Sequence, residues 1–216
     1  TSGFTSSLTF RSRMTSICAA ALLPSTLPQE RMRPGASPVI EFDGGQSMIQ
    51  PWRATCMQVY CNLVNGARNR DEAMTIIHRS LDRWSTLMRG PAREGGRQLV
   101  LFPEFCLTGF PLQESAAEWI EKACIEIPGP VTERLQKEAQ ALRIWIGANS
   151  YERDPAWPGR YFNCSYLINP SGDVVLKYRR INTVQTGSPH DFMDQYLAKY
   201  GIEGTFPVAK TDLGNI

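Results

Sequence analysis

The sequence is poor in the features that assign a chain most quickly. Its 216 residues hold no CxxC pair, two histidines, and no apolar run near the ~20 residues a membrane-spanning helix needs. The longest apolar candidate, Ile17 to Leu23, is short and stops at Pro24. Cys18, Cys56, Cys61, Cys106, Cys124 and Cys164 are scattered, and His78 and His190 lie far apart. A tetrahedral zinc site draws on closely spaced thiolates and imidazoles, so no metal site is expected. Scattered cysteines in a chain of this length read as the reduced thiols of an intracellular protein rather than as a disulfide framework. A strong charge of either sign is also missing. With a net charge of +2 the chain offers no electrostatic footprint for nucleic acid or an acidic membrane, and neither partner is expected. There is no internal repeat, and GxSxG, the P-loop and GxGxxG are all absent, which removes the usual arguments for serine hydrolases and nucleotide enzymes.

What is present divides near residue 50. Residues 1–50 are rich in Ser, Thr, Pro, Gly and Arg, and Glu30 is their only acid before Glu41. Arg11, Arg13, Arg31 and Arg33 give them the basic, acid-poor character of an organelle transit peptide. An untidy translation start, with Met14 as the initiator, fits equally well. A poorly ordered extension is expected over 1–50 and a globular domain over 51–216. The location is expected to be cytoplasmic, with organelle import left open by that basic segment.

The domain alternates between two periods. Arg53 to Cys61 reads as a strand, being loosely alternating with β-branched and aromatic residues. Asn69 stands three residues before Glu72, a capping-box-like start. From there Ala73, Ile76, Ile77, Leu81, Trp84 and Met88 recur at helical spacing up to Gly90-Pro91. Gln98 to Phe102 and Arg143 to Ala148 are short apolar runs bounded by turn signals, as buried central strands are. Helices are expected over Ala116 to Cys124 and after Pro128-Gly129-Pro130. Phe162 to Asn169 and Val174 to Arg179 form a hairpin around Pro170-Ser171-Gly172-Asp173. The order predicts an α/β domain with helices layered on a sheet.

Two segments carry the chemistry. In LVLFPEFCLTGFP a buried strand ends at Pro103 and hands over to a carboxylate, Glu104. Open α/β sheets place ligands at the carboxyl ends of their strands, and a carboxylate there serves either as a general base or as a structural residue that caps a helix or pairs with an arginine. In GDVVLKYRRIN, Lys177, Arg179 and Arg180 flank a strand end. They form either a solvated basic edge or, with one of them turned inward beside Glu104, a cation able to hold an oxyanion.

The element PE-x-x-x-TG-[FY] stands as Pro103, Glu104, Thr108, Gly109 and Phe110. IPGPVTERLQKEAQALRIWIGANSYERD follows from Ile127 to Asp154, then YFNCSYLINPSGDVVLKYRR from Tyr161 to Arg180, and the chain closes with FPVAKTDLGNI. In this order, from about Pro51 onward, the chain resembles the nitrilase, or carbon–nitrogen hydrolase, superfamily. The resemblance implies an α/β fold of four layers, an α-β-β-α sandwich, of which this chain supplies the first part, and a homo-oligomer. It implies a hydrolase of non-peptide C–N bonds in a small amide, carbamoyl compound or nitrile, working without a cofactor through a Glu–Lys–Cys set. Glu104 would be the general base. The family's lysine falls on Arg180, which keeps the charge but presents a larger planar fork. None of the six cysteines stands in the family's Cys-aromatic-acid motif, so the nucleophile is expected just beyond Ile216. The alternative is a catalytically inactive relative acting as a binding module. Asp191 and Asp194 are candidates for a further acidic site residue or, equally, for helix caps.

Overall fold

The computed structural model describes residues 50–183 and 188–216, together with the backbone of a strand at 5–8. The extension expected over 1–50 therefore lies almost wholly outside the described residues. One mixed sheet of six strands forms the centre: β1 (Thr5–Leu8), β2 (Trp52–Met57), β3 (Arg97–Leu101), β4 (Trp145–Arg153), β5 (Tyr161–Ile168) and β6 (Val174–Arg179), adjacent in that order. β2, β3 and β4 run parallel, while β5 and β6 fold back antiparallel. Helix α1 (Arg70–Arg93) connects β2 to β3, and α2 (Ala116–Lys122) and α3 (Pro130–Leu142) connect β3 to β4.

Local chemistry accounts for the boundaries. Asn69 caps α1 by accepting the N–H of Glu72 at 3.0 Å, and the Glu72 carboxylate reaches back to the N–H of Arg68 at 2.9 Å. Ser115 and Glu118 form a reciprocal capping box on α2. The helix expected to stop at Gly90-Pro91 runs on to Arg93. A proline in the last turn forfeits only its own N–H bond. The Pro91 ring is buried, and its carbonyl accepts the N–H of Glu94 at 3.1 Å, which closes the turn. The strand expected over Arg53 to Cys61 ends at Met57, where the chain leaves the sheet and Val64 N–H bonds to Thr108 O at 3.1 Å. The run expected over Arg143 to Ala148 starts later and reaches Arg153. Arg143 is left-handed (φ 55°) and closes α3, and β5 pairs with every residue from Ile146 to Arg153. The hairpin forms as expected. Asn169 Oδ1 accepts the N–H groups of Ser171 (2.9 Å) and Asp173 (2.8 Å) across its turn.

Alternate residues of each strand serve opposite faces. Val100, Ile146, Cys164, Tyr166 and Ile168 pack with Ile77, Leu81, Trp84, Leu135 and Ala139 of α1 and α3. Trp84 stacks on Phe102 with ring centroids 3.8 Å apart. On the other face Leu99, Trp145 and Leu167 meet Ala209 and Leu213. Those two flank and join a small hairpin, β7 (Lys210–Thr211) with β8 (Gly214–Asn215). Among the described residues, this face has no further sheet stacked on it. The architecture of the described residues is α/β with helices on one face of the sheet. A third cluster of Trp157, Phe162, Phe192 and Tyr196 packs α4 (Met193–Tyr200) against the β4–β5 connection.

Candidate functional site

At the carboxyl end of β3, Phe102 N–H still pairs with Gly147 O at 2.9 Å, and the chain then turns through Glu104 to Thr108. Phe105 takes a left-handed conformation (φ 57°) that non-glycine residues adopt only when surrounding contacts fix it. Its ring stacks on Tyr151 at 4.5 Å and meets the edge of Phe110 at 4.8 Å, and its N–H donates to Asn149 Oδ1 at 3.2 Å. Gly109 (φ 77°) closes the turn by donating to Phe105 O at 2.8 Å, a conformation that favours glycine.

This turn holds Glu104 half exposed at the strand mouth. Oε1 accepts Asn163 Nδ2 at 2.7 Å and Arg180 Nη1 at 3.3 Å. Arg180 is also half exposed. Its backbone N–H continues the β5–β6 ladder to Asn163 O (2.8 Å), and its Nε donates to Asn182 O (3.1 Å). The two site residues expected from the sequence are thus brought together, although their family elements lie far apart in the chain.

The neighbouring cations go elsewhere. Lys177 and Arg179 turn to the other side of β6, where Glu152 is 1 % exposed. Arg179 grips that carboxylate with two bonds, at 2.7 and 2.9 Å, and also reaches Asp154 at 2.6 Å and Tyr200 Oη at 2.9 Å. Lys177 adds a bond to Glu152 at 2.6 Å and one to Ile127 O at 2.9 Å. Burial alone would lower the Arg179 pKa, but Glu152 and Asp154 outweigh it and push the value up. Burial likewise raises Asp154, yet the Ala156 N–H and Arg179 together hold it below the usual carboxylate value. These two cations belong to a buried ion network and not to a solvated basic edge.

The sequence reading missed Asn149 and Asn163, which join the turn to Glu104. Asn149 Nδ2 donates to Asn163 Oδ1 at 2.6 Å and to Ser165 Oγ at 3.1 Å. Polar residues at every second position of otherwise apolar strands were the available signal, because buried amides are almost always hydrogen-bonded. Of the candidate acids, Asp191 pairs with His190 Nε2 at 3.0 Å, and Asp194 sits in the first turn of α4. Residues 184–187, between Arg180 and this segment, lie outside the described residues.

Four of the described thiols are shifted away from the thiolate. Cys106, Cys124 and Cys164 are buried, and burial pushes each well up. The exposed Cys61 is raised by partial burial, and its Sγ donates to Phe105 O at 3.3 Å. Among the described residues no cluster of His, Cys, Asp and Glu is arranged to hold a metal ion.

The model of the carbon-nitrogen hydrolase family matches residues 77–216. Curated relatives include the formamidase of Helicobacter acinonychis (strain Sheeba), 26% identical over 147 residues that cover 66% of this chain and 41% of the relative. The formamidase of Bacillus thuringiensis (strain Al Hakam) is 30% identical over 87 residues, 40% of this chain and 25% of the relative. The chain thus spans less than half the length of these relatives. Solved structures similar to it include an N-terminal amidase (16% identity, TM-score 0.47, covering 62% of this chain and 28% of that one). Another is a carbon-nitrogen hydrolase from Helicobacter pylori G27 (16% identity, TM-score 0.45, covering 62% and 41%).

Proposed function

The chain belongs to the carbon–nitrogen hydrolase family, and from that premise we propose that it serves the hydrolysis of a C–N bond in a small amide, carbamoyl compound or nitrile. The observation that carries the reading is the meeting of Arg180 and Asn163 on one oxygen of Glu104 at the mouth of a central strand. A carboxylate at that mouth is a proton acceptor, and a guanidinium beside it would hold negative charge developing on a substrate oxygen or nitrogen.

In the mechanism the family implies, Glu104 takes the proton of a cysteine thiol and the thiolate attacks the amide carbon. Electrons move to the carbonyl oxygen, which Arg180 and a backbone N–H stabilise. The tetrahedral adduct collapses, the C–N bond breaks, and the amine leaves with the proton returned by Glu104. Glu104 then deprotonates water, which adds to the thioester and releases the acid and the thiol. Among the described cysteines, burial holds Cys106, Cys124 and Cys164 protonated, and Cys61 is bonded to the turn backbone. None of the six cysteines stands in the family's Cys-aromatic-acid motif, and we assign the role to a cysteine outside residues 1–216. It would reach the site from a second sheet stacked on the face that carries Leu99, Trp145 and Leu167, completing the four-layer sandwich in a homo-oligomer.

The test is ammonia release by the full-length protein from formamide, other short amides and nitriles, with Glu104→Gln and Arg180→Lys alongside. Activity lost in Glu104→Gln supports the assignment. Retained activity refutes it. A wild type that is inert until Arg180→Lys restores turnover would identify the inactive, substrate-binding relative instead.

A further inference from the structure

Asn149 and Asn163 sit on adjacent strands, and both are nearly buried, at 6% and 9% exposed. Their amide orientations are set from one end. The Phe105 N–H can only donate, so Asn149 takes it on Oδ1 and turns Nδ2 toward β5. That Nδ2 occupies Asn163 Oδ1 at 2.6 Å, so Asn163 presents its own Nδ2 to Glu104 Oε1 at 2.7 Å. Reversing either amide would set oxygen against oxygen or nitrogen against a donor. A hydrogen-bond chain that starts at a backbone donor must end on an acceptor, and here that acceptor is Glu104 Oε1. The first bond also ties down the left-handed Phe105, the residue that follows Glu104.

We propose that the Asn149–Asn163 pair is a positioning device: it orients Glu104 by Oε1 and leaves Oε2 as the oxygen that takes the proton. The inference rests on reading Glu104 as the general base. Other titratable or charged groups around Glu104 are Arg180 from the end of β6 and the Tyr151 phenol from β4. Cys61 and Cys106 bond the backbone of the turn itself, at Phe105 O and Pro103 O. None of these takes over the donor that Asn163 supplies. Arg180 reaches the same oxygen only at 3.3 Å, from a half-exposed side chain.

The experiment uses the full-length protein with carbon-13 in its glutamate carboxyls, the Glu104 signal being assigned by its loss in Glu104→Gln. Its titration midpoint is compared in wild type, Asn163→Ala and the isosteric Asn163→Asp. Losing a hydrogen bond to a charged acceptor should raise the midpoint in Asn163→Ala. Asn163→Asp should raise it further, because two carboxylates then share the contact. Turnover at a pH below the new midpoint should fall about tenfold per unit, with KM nearly unchanged. A purely structural asparagine would lower Tm and leave the midpoint in place, so an unmoved midpoint in both variants overturns the inference. Glu104→Gln separates the two ideas. Retained turnover sinks the general-base reading, whereas lost turnover with unmoved midpoints sinks only the role of Asn163.

Discussion

Replacing Glu152 with glutamine tests the buried network that fixes the end of β6. The carboxylate is 1 % exposed and holds both Arg179, whose side chain is 4 % exposed, and Lys177, whose side chain is 33 % exposed. Removing one partner of a buried ion pair costs about 3–5 kcal/mol, because the other charge is left dehydrated. Two features place this case at the low end. Arg179 keeps Asp154 at 2.6 Å and Tyr200 at 2.9 Å, and Lys177 is exposed enough to turn toward water. About 3 kcal/mol is a large share of the ~5–15 kcal/mol that stabilises an ordinary domain. For a chain of this size it corresponds to a Tm lower by roughly 6–12 °C. Urea unfolding followed by tryptophan fluorescence should show a lower midpoint at unchanged slope. Glu152→Leu combined with Arg179→Leu should recover much of the loss, because a well-packed apolar pair replaces a buried ionic one at little cost. A Glu152→Gln variant within about 1 kcal/mol of wild type would refute the reasoning, showing that the network is hydrated or rearranges freely.

Two further outcomes follow from shifted groups. Burial raises Cys106, Cys124 and Cys164, so at pH 8 iodoacetamide should label the exposed Cys56 and leave those three unmodified until urea unfolds the chain. Mass mapping checks this, and labelling of Cys106 in the native state would contradict the observed packing of the turn. Asp154 is depressed in the folded state, so its contribution is present above the unfolded value and is lost as pH falls through the folded one, below about pH 4. The Tm gap between wild type and Asp154→Asn should therefore be full at pH 7 and close under acid. A gap that is constant from pH 7 to pH 2 would show that the residue acts by packing alone.

The fold was legible wherever one physical signal dominated. Asn69 and the apolar stripe to Met88 located α1, and the apolar run from Gln98 to Phe102 located β3. The signal failed where tertiary contacts overruled a local rule. Gly90-Pro91 reads as a stop, yet burial of the Pro91 ring carries the helix on to Arg93. In β4 the residues Asn149 to Arg153 look too polar for a buried strand, because their partners are supplied by β5 and β6 and are invisible along the chain.

The pair Arg179 and Arg180 shows where the limit lies. As sequence the two are equivalent cations. In a strand, consecutive side chains face opposite ways, so one must join the α1–α3 side while the other joins the side of Glu104. Which goes where is fixed by register: Arg179 stands opposite Cys164, whose side chain lies in the helix-covered core. Arg180 then continues past the end of β6, its N–H on Asn163 O and its guanidinium on Glu104. The bidentate grip of Glu152 on Arg179 holds that register, since a slip by one residue would bury Arg180 and expel its neighbour. The charge that is buried thereby positions the charge that is exposed. A substitution at Glu152 should accordingly disturb the Glu104–Arg180 contact from the opposite face of the sheet.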